Sequence, residues 1–470
     1  PRSTLFPYTT LFRSKFGIFG DGKEIVQIAL AKQFRDGDWR SGYYRDQTWM
    51  MAMGLFDPLQ FFHQLYGNTD RELDFVGSGG RVFNNHFSVP NINPDGTWRD
   101  LTKQKNSSSD ISPTAGQMPR LLGLAYASKL FRQNGELHKF TNLSLQGNEV
   151  AFGTIGDAST SEGHFWETIN AGGVLQVPMA VTVYDDGYGI SVPKKYQTTK
   201  GSISDILRGF EDEPGKPGYL IYKGKGWDYP GLISMYREGI EICRRDHKPV
   251  LFHIEEVTQP LGHSTSGSHE RYKSEERLKW EKDFDPLLKM REWIIENNIA
   301  TPQELDTIAA ESEEEAKQAR KKSWEMFQEP VRVERDALVK IINDRSCRCS
   351  EESKEASVDN ITDDLMKVAA PIRRDNFMAA RKILRNVCET CIKSDNLRED
   401  LHGWLKRNYA DASFRYNTFL YNETPTSVLK VSPVEPVFSE NSPEVPGREI
   451  LRDNYRSEEH TSELQSRQSI

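Results

Sequence analysis

The run from Asn148 to Val192 constrains the chain most, because its hydrophobic period changes twice. Val150 to Ile155 is an apolar, strand-like run that stops at Gly156-Asp157. About Ser161 to Leu175 reads as a helix. Pro178 then opens a second apolar run, Met179 to Tyr184, which stops at Asp185-Asp186-Gly187. Strand, crossover helix and strand make a parallel βαβ unit. A right-handed crossover leaves both strands pointing the same way, so their carboxyl ends share one edge. Ligands of open α/β sheets bind at that edge. The pattern predicts an α/β fold, a doubly wound parallel sheet, with Asp157 and Asp186 on one rim.

A lone Asp at the end of a strand more often caps a turn. Two on successive strands fit a shared hard cation, because magnesium takes an octahedral shell of oxygens from one or two carboxylates and a substrate's phosphates.

Gly156 to Ser191, GDASTSEGHFWETINAGGVLQVPMAVTVYDDGYGIS, resembles the thiamine diphosphate signature of the α-subunits of 2-oxo acid dehydrogenases, the decarboxylating component. The likeness is greatest to the branched-chain, 2-oxoisovalerate type, as a separate α-subunit or the α half of a fused α–β form. It implies a sheet of the thiamine-diphosphate-binding type; the helical C-terminal extension is read from the residues after about Glu329, where the resemblance thins. Asp157, Asp186 and the Tyr188 carbonyl would hold Mg2+, with Gly156 and Ala158 against the cofactor. Asp186 stands where that family usually has Asn. The added negative charge calls for extra cations or protons nearby.

The resemblance extends to other segments. Tyr44-Arg45 matches a pair that contacts the cofactor and its diphosphate, work suited to the bidentate Arg fork; spacing alone equally allows an Arg45–Asp46 surface pair. In the glycine-rich loop Gly77 to His86, Arg81 and His86 match a Gly-Arg…His pattern, with His86 facing the reacting carbon or else remaining a polar loop residue. Ser112, Pro113, Gln117, Pro119 and Gly123 match a segment supporting the cofactor ring, and Gly123, Ala125 and Ala127 would let its helix pack closely. His263-Ser264 matches an active-site loop whose His lies near the diphosphate and assists acyl transfer; the alternative is a solvated loop His. Gln259 falls near that loop's usual Arg, and Gly267-Ser268-His269 replaces its acidic tail.

The implied activity is oxidative decarboxylation of a 2-oxo acid, branched-chain in preference to pyruvate. Thiamine diphosphate and Mg2+ would serve it, and the acyl group would pass to lipoamide on a partner acyltransferase. The implied partner is a β half or β-subunit, which supplies the glutamate that activates the cofactor. A transketolase-like thiamine enzyme, or a non-catalytic subunit that binds cofactor or only pairs, are the other readings.

Further signals bound the rest. Lys23 to Phe34 reads as a helix with Ile25, Ile28 and Ala29 on one face, and Trp49, Met50, Met51 and Met53 as core. Asp57-Pro58 opens a helix that stops at Gly67, and Thr301-Pro302-Gln303-Glu304 is a capping box. Gly218 to Lys223 and Val250 to Glu255 read as strands around a helix from Leu232 to Arg244. Residues 361–427 look helical and charged, for example Asp375 to Lys393. Cys347, Cys349, Cys388 and Cys391 offer CxC and CxxC, but the last two fall in a helical pattern and read as buried thiols. Val431 to Pro446 is a Pro-, Ser- and Glu-rich linker.

The formal charge of −8 argues against a general nucleic-acid binder. No apolar run is long enough to span a membrane. Five cysteines suit a reducing cytoplasm. Thr4 to Ser14 and Arg456 to Ser466 look like translated sequencing adapters. The expected layout is therefore residues 1–14 and 456–470 as additions, 15–330 as the cofactor-binding α domain, 331–430 as a helical extension, and 431–455 as a linker and the start of a β half.

Overall fold

The computed structural model describes residues 17–264, 269–345, 352–425, 427–433, 435 and 441–457. Segment 4–14, most of 456–466, residues 265–268, and Cys347 and Cys349 lie outside the described residues. Two units separate at residue 420. The second, from Tyr421, contains a single 3-10 turn at Val428–Lys430 and the helix Gly447–Ser457 among its described residues.

The first unit is built on a six-stranded sheet. Its strands are β1 (Trp39–Ser41), β2 (Asn106–Ser107), β3 (Ala151–Gly156), β4 (Met179–Tyr184), β7 (Leu220–Lys225) and β8 (Val250–Glu255). The order is β2-β1-β3-β4-β8-β7, and every pairing is parallel. A small antiparallel ribbon, β5 (Tyr188–Gly189) and β6 (Val192–Pro193), follows β4. The doubly wound parallel sheet read from the sequence is the fold observed.

Side chains alternate across a strand, so β4 feeds two cores. Ala180 and Tyr184 join a cluster with Ile25, Val26, Leu232 and Tyr236, from the helices Glu24–Ala31 and Tyr229–Asp246. Met179, Val181 and Val183 face Met118, Leu121, Phe165 and Ile169, from the helices Gln117–Gln133 and Gly163–Leu175. With both faces covered, all six residues of β4 are buried. Close helix approach depends on Gly153 of β3, where a Cβ would collide with the Leu121 side chain. Gly123 and Ala127, expected to provide that closeness, are exposed, and a Cβ on Gly123 would meet nothing. Only Ala125 of the three is buried, because the other two lie on the solvent face of the helix.

Arg40 on β1 is fully buried and bonds Asp46 at 2.6 Å and Asp110 at 3.0 Å. Thr154 of β3 donates to Asp46 at 2.8 Å. This network ties β1, β3 and the loop before the helix Gln117–Gln133 into one piece. It also removes Asp46 as a partner for Arg45.

The helix opened by Thr301 and Glu304, whose side chains bond each other's backbone N–H, runs from Pro302 to Arg345. It passes through Pro330, where a change of domain was expected. Ser323 on this helix meets His63 of the helix Pro58–Tyr66 at 2.9 Å. Farther along, Leu338 and Ile342 enter a separate apolar core with Ile383, Leu397, Leu401 and Trp404. The helices Arg373–Asn386 and Ile392–Arg415 complete that bundle with Glu352–Lys367. The expected continuous helix from Asp375 to Lys393 is thus broken. Val387 turns extended, and Cys388 and Cys391 sit half-buried in the connection rather than inside a helix. No helix among the described residues is long and apolar enough to cross a membrane.

Replacing Arg40 by Met leaves two buried carboxylates without their cation. The expected cost is about 3–5 kcal/mol, measured as a lower urea midpoint by circular dichroism.

Candidate functional site

Register places the acidic residues. Gly156 pairs with Tyr184, and Tyr184 with Ile254. Asp157 and Asp185 therefore leave adjacent strands at one level, donating their N–H groups to Tyr184 and Ile254 at 2.9 Å. Asp186 lies one residue further out.

The three carboxylates are used differently. Asp185 Oδ2 accepts from Lys194 at 2.7 Å and from His253 at 3.1 Å, and its Oδ1 accepts from the Gly187 N–H at 3.0 Å. Burial pushes its pKa up, but the bonds from His253 and Lys194 outweigh burial and hold it below the usual range. Asp157 is 5% exposed, yet its Oδ2 has no hydrogen-bond partner among the described residues. Burial first, then Asp186 and Asp185, drive its pKa well above normal. Asp186 is half-buried, accepts from the Tyr188 N–H at 3.0 Å, and its carbonyl is held by Arg277 at 2.8 Å. A buried carboxylate oxygen without a partner, beside a second carboxylate that repels it, matches the donor set of a hard divalent cation.

Asp185, His253 and Glu255 also lie close together. However, Asp185 meets Nε2 of the ring, whereas Glu255 lies 3.8 Å from Nδ1, which bonds Ser204 at 2.8 Å. With Lys194 and His253 on Asp185 and Ser204 on His253, these side chains already have partners within the chain.

A cleft next to the rim is lined by Asp186, Tyr188, Ile190, Gln259, His263, Tyr272 and Lys273. Arg45, 5% exposed, donates to the Phe19 carbonyl at 2.6 Å and the His263 carbonyl at 2.9 Å, and lies 3.2 Å from His263 Nδ1. Burial, then Arg45, lowers the His263 pKa. Tyr44 lies under the Arg45 cation at 5.2 Å and 6.2 Å from the His86 ring. His86 Nε2 is 3.4 Å from the hydroxyl of exposed Ser112. Gly156 and Ala158 are half-buried, and a Cβ on Gly156 would meet nothing within 3.5 Å. Thus Asp186, Tyr188 and His263 line the cleft, Asp157 is an electrostatic neighbour of Asp186, Arg45 backs His263, and Tyr44 lies between Arg45 and His86. Arg81 is elsewhere, bonding the carbonyls of Arg415 and Asn417.

The segment Gly17 to Gly22, before the helix read from Lys23, has no hydrophobic period and carried no signal in the sequence. Its Asp21 carboxylate accepts from Gln259 Nε2 at 3.0 Å and the Leu261 N–H at 2.8 Å. Buried Lys23 donates to Gln259 Oε1. Burial brings the Lys23 pKa down to about 8, and Asp186 is the largest opposing influence. Lys23 is thus within electrostatic reach of Asp186, which favours its charged form. Its Gly-Asp-Gly-Lys context, next to a helix start, was the only available cue.

A family model described as the dehydrogenase E1 component matches residues 8–331. The chain belongs to the dehydrogenase E1 component family. Among relatives of this E1-component chain, the 2-oxoisovalerate dehydrogenase subunit alpha of Bacillus subtilis (strain 168) is 26% identical over 321 residues, 65% of the chain and 82% of the relative. The mitochondrial subunit alpha 1 of Arabidopsis thaliana is 24% identical over 334 residues, 71% of the chain and 60% of the relative. The mitochondrial subunit alpha of Mus musculus is 26% identical over 328 residues, 68% and 62% respectively. The chain spans about 60% of the plant and animal proteins.

Asp157→Asn is expected to stabilise the ligand-free E1-component chain by about 0.5–2 kcal/mol near neutral pH. A carboxyl with a raised folded pKa weakens the fold wherever the unfolded chain has ionised it, so the cost is present above the unfolded pKa and vanishes below it. The gain should therefore shrink as pH falls toward the unfolded value, in urea titrations across pH.

Proposed function

We propose that the chain is the α component of a thiamine-diphosphate- and Mg2+-dependent 2-oxo acid dehydrogenase acting on branched-chain substrates. The observation that carries this reading is the buried Asp157 oxygen without a hydrogen-bond partner among the described residues, beside Asp186, which lines one cleft with His263. The printed names of the relatives support the substrate class.

Thiamine diphosphate, when bound, supplies the nucleophilic carbon and the electron sink for decarboxylation. Asp157, Asp186 and the Tyr188 carbonyl would hold Mg2+. Arg45 would take the diphosphate, against backbone at Gly156 and Ala158. Tyr44 and Ser112 would steady the cofactor, with His86 toward the reacting carbon. His263 would assist acyl transfer to lipoamide on a partner acyltransferase. A β chain would complete the site, and the five cysteines suit a reducing compartment such as the cytoplasm.

Calorimetric titration of the full chain with thiamine diphosphate should show binding that requires Mg2+, and Asp157→Ala should weaken it at least 100-fold. No Mg2+-dependent binding by the unaltered chain would overturn the proposal. Without a β partner, decarboxylation of branched-chain 2-oxo acids should be at least 100-fold slower than with it. Transfer of the fragment to an aldose instead of lipoamide would identify the transketolase-like chemistry.

A further inference from the structure

We infer that Arg45 fixes the tautomer of His263, holding the ring neutral with its proton on Nε2. A guanidinium has five N–H donors and no acceptor. Arg45 Nη2 lies 3.2 Å from His263 Nδ1 and 2.9 Å from the same residue's carbonyl oxygen. Nδ1 must therefore present its lone pair. A proton there would set two donors against each other, and a doubly protonated ring would add a second positive charge.

Arg45 is not free to turn away. Its Nη1 donates to the Phe19 carbonyl at 2.6 Å, its own carbonyl accepts from Gln27 Nε2 at 2.8 Å, and its cation lies over Tyr44. None of these contacts is a carboxylate, because neighbouring Asp46 is taken by Arg40. Neither contact to His263 uses Nε, so that N–H is available to an anion while the lock holds.

The consequence is a role for each residue. His263 lines the cleft with Asp186, Tyr188 and Tyr272, and Nε2–H is the ring group that Arg45 leaves over. In this state His263 is a hydrogen-bond donor, suited to an oxygen that carries or develops negative charge, and not a proton acceptor at Nδ1. Arg45 is a positioning residue acting through His263. That the oxygen belongs to a 2-oxo acid or a diphosphate rests on the function proposed above; the tautomer does not.

The test is imidazole 15N–1H correlation on the ligand-free full chain with 15N-labelled histidine. The chain has ten histidines, and the His263 signal is assigned by its loss in His263→Gln. At pH 7.5, a non-protonated Nδ1 and a protonated Nε2 are expected. Arg45→Gln should lose this single pattern in favour of a tautomer mixture, and Arg45→Lys, which keeps a cationic donor, should restore it. A proton on Nδ1 in the unaltered chain would overturn the inference, even if Arg45→Gln fails to fold. An unchanged His263 pattern in a folded Arg45→Gln chain would overturn it too. No cofactor is present, so failure here is distinct from failure of the thiamine diphosphate titration.

Discussion

Asp157 is an acid placed where the chain has nothing to offer it. Its position follows from the sheet: adjacent parallel strands end together, and the residues just past β3 and β4 are both Asp. Burial then removes the water that would solvate the charge, and two carboxylates raise the cost of ionising it. A fold keeps such a group only if surrounding structure over-determines it, as is common at functional sites. Here that structure is the double-sided core around β4 and the Asp185 network, which fixes the turn leading to Asp186 and Tyr188.

Charge around the cleft is complementary but not cancelled within the chain. Asp185 has Lys194 and His253, and Lys273 has Glu281 at 2.8 Å. Asp157 Oδ2 and Arg45 have no such charged partner among their hydrogen bonds within the described residues. A ligand that brings both a cation and an anion satisfies both at once.

The readable parts of the sequence were those governed by local period and caps. Met179–Tyr184 and Val250–Glu255 were bounded correctly, because buried parallel strands are short apolar runs between turn residues. The rim position of Asp157 and Asp186 followed from topology alone, and the residues proposed to face the cofactor were picked out by motif order. What stayed hidden depends on long-range contact. Arg40 looks like a surface Arg until Asp110, seventy positions on, is placed against it. Asp21 and Lys23 gain meaning only beside Gln259, more than two hundred positions away. The break at Cys388 was missed because the charged helical pattern continues across it.

Arg81 joins two parts of the first unit that have separate apolar cores. It leaves the glycine-rich loop five residues before His86 and grips the last turn of the helix Ile392–Arg415, stacking on Phe419 at 4.7 Å. The loop that carries His86 is therefore moored to a helical bundle with its own interior, not to the sheet alone. Fraying of that bundle would remove one anchor of the loop and leave another, the Gln64 side chain on the His86 carbonyl, which ties the same loop to the helix Pro58–Tyr66.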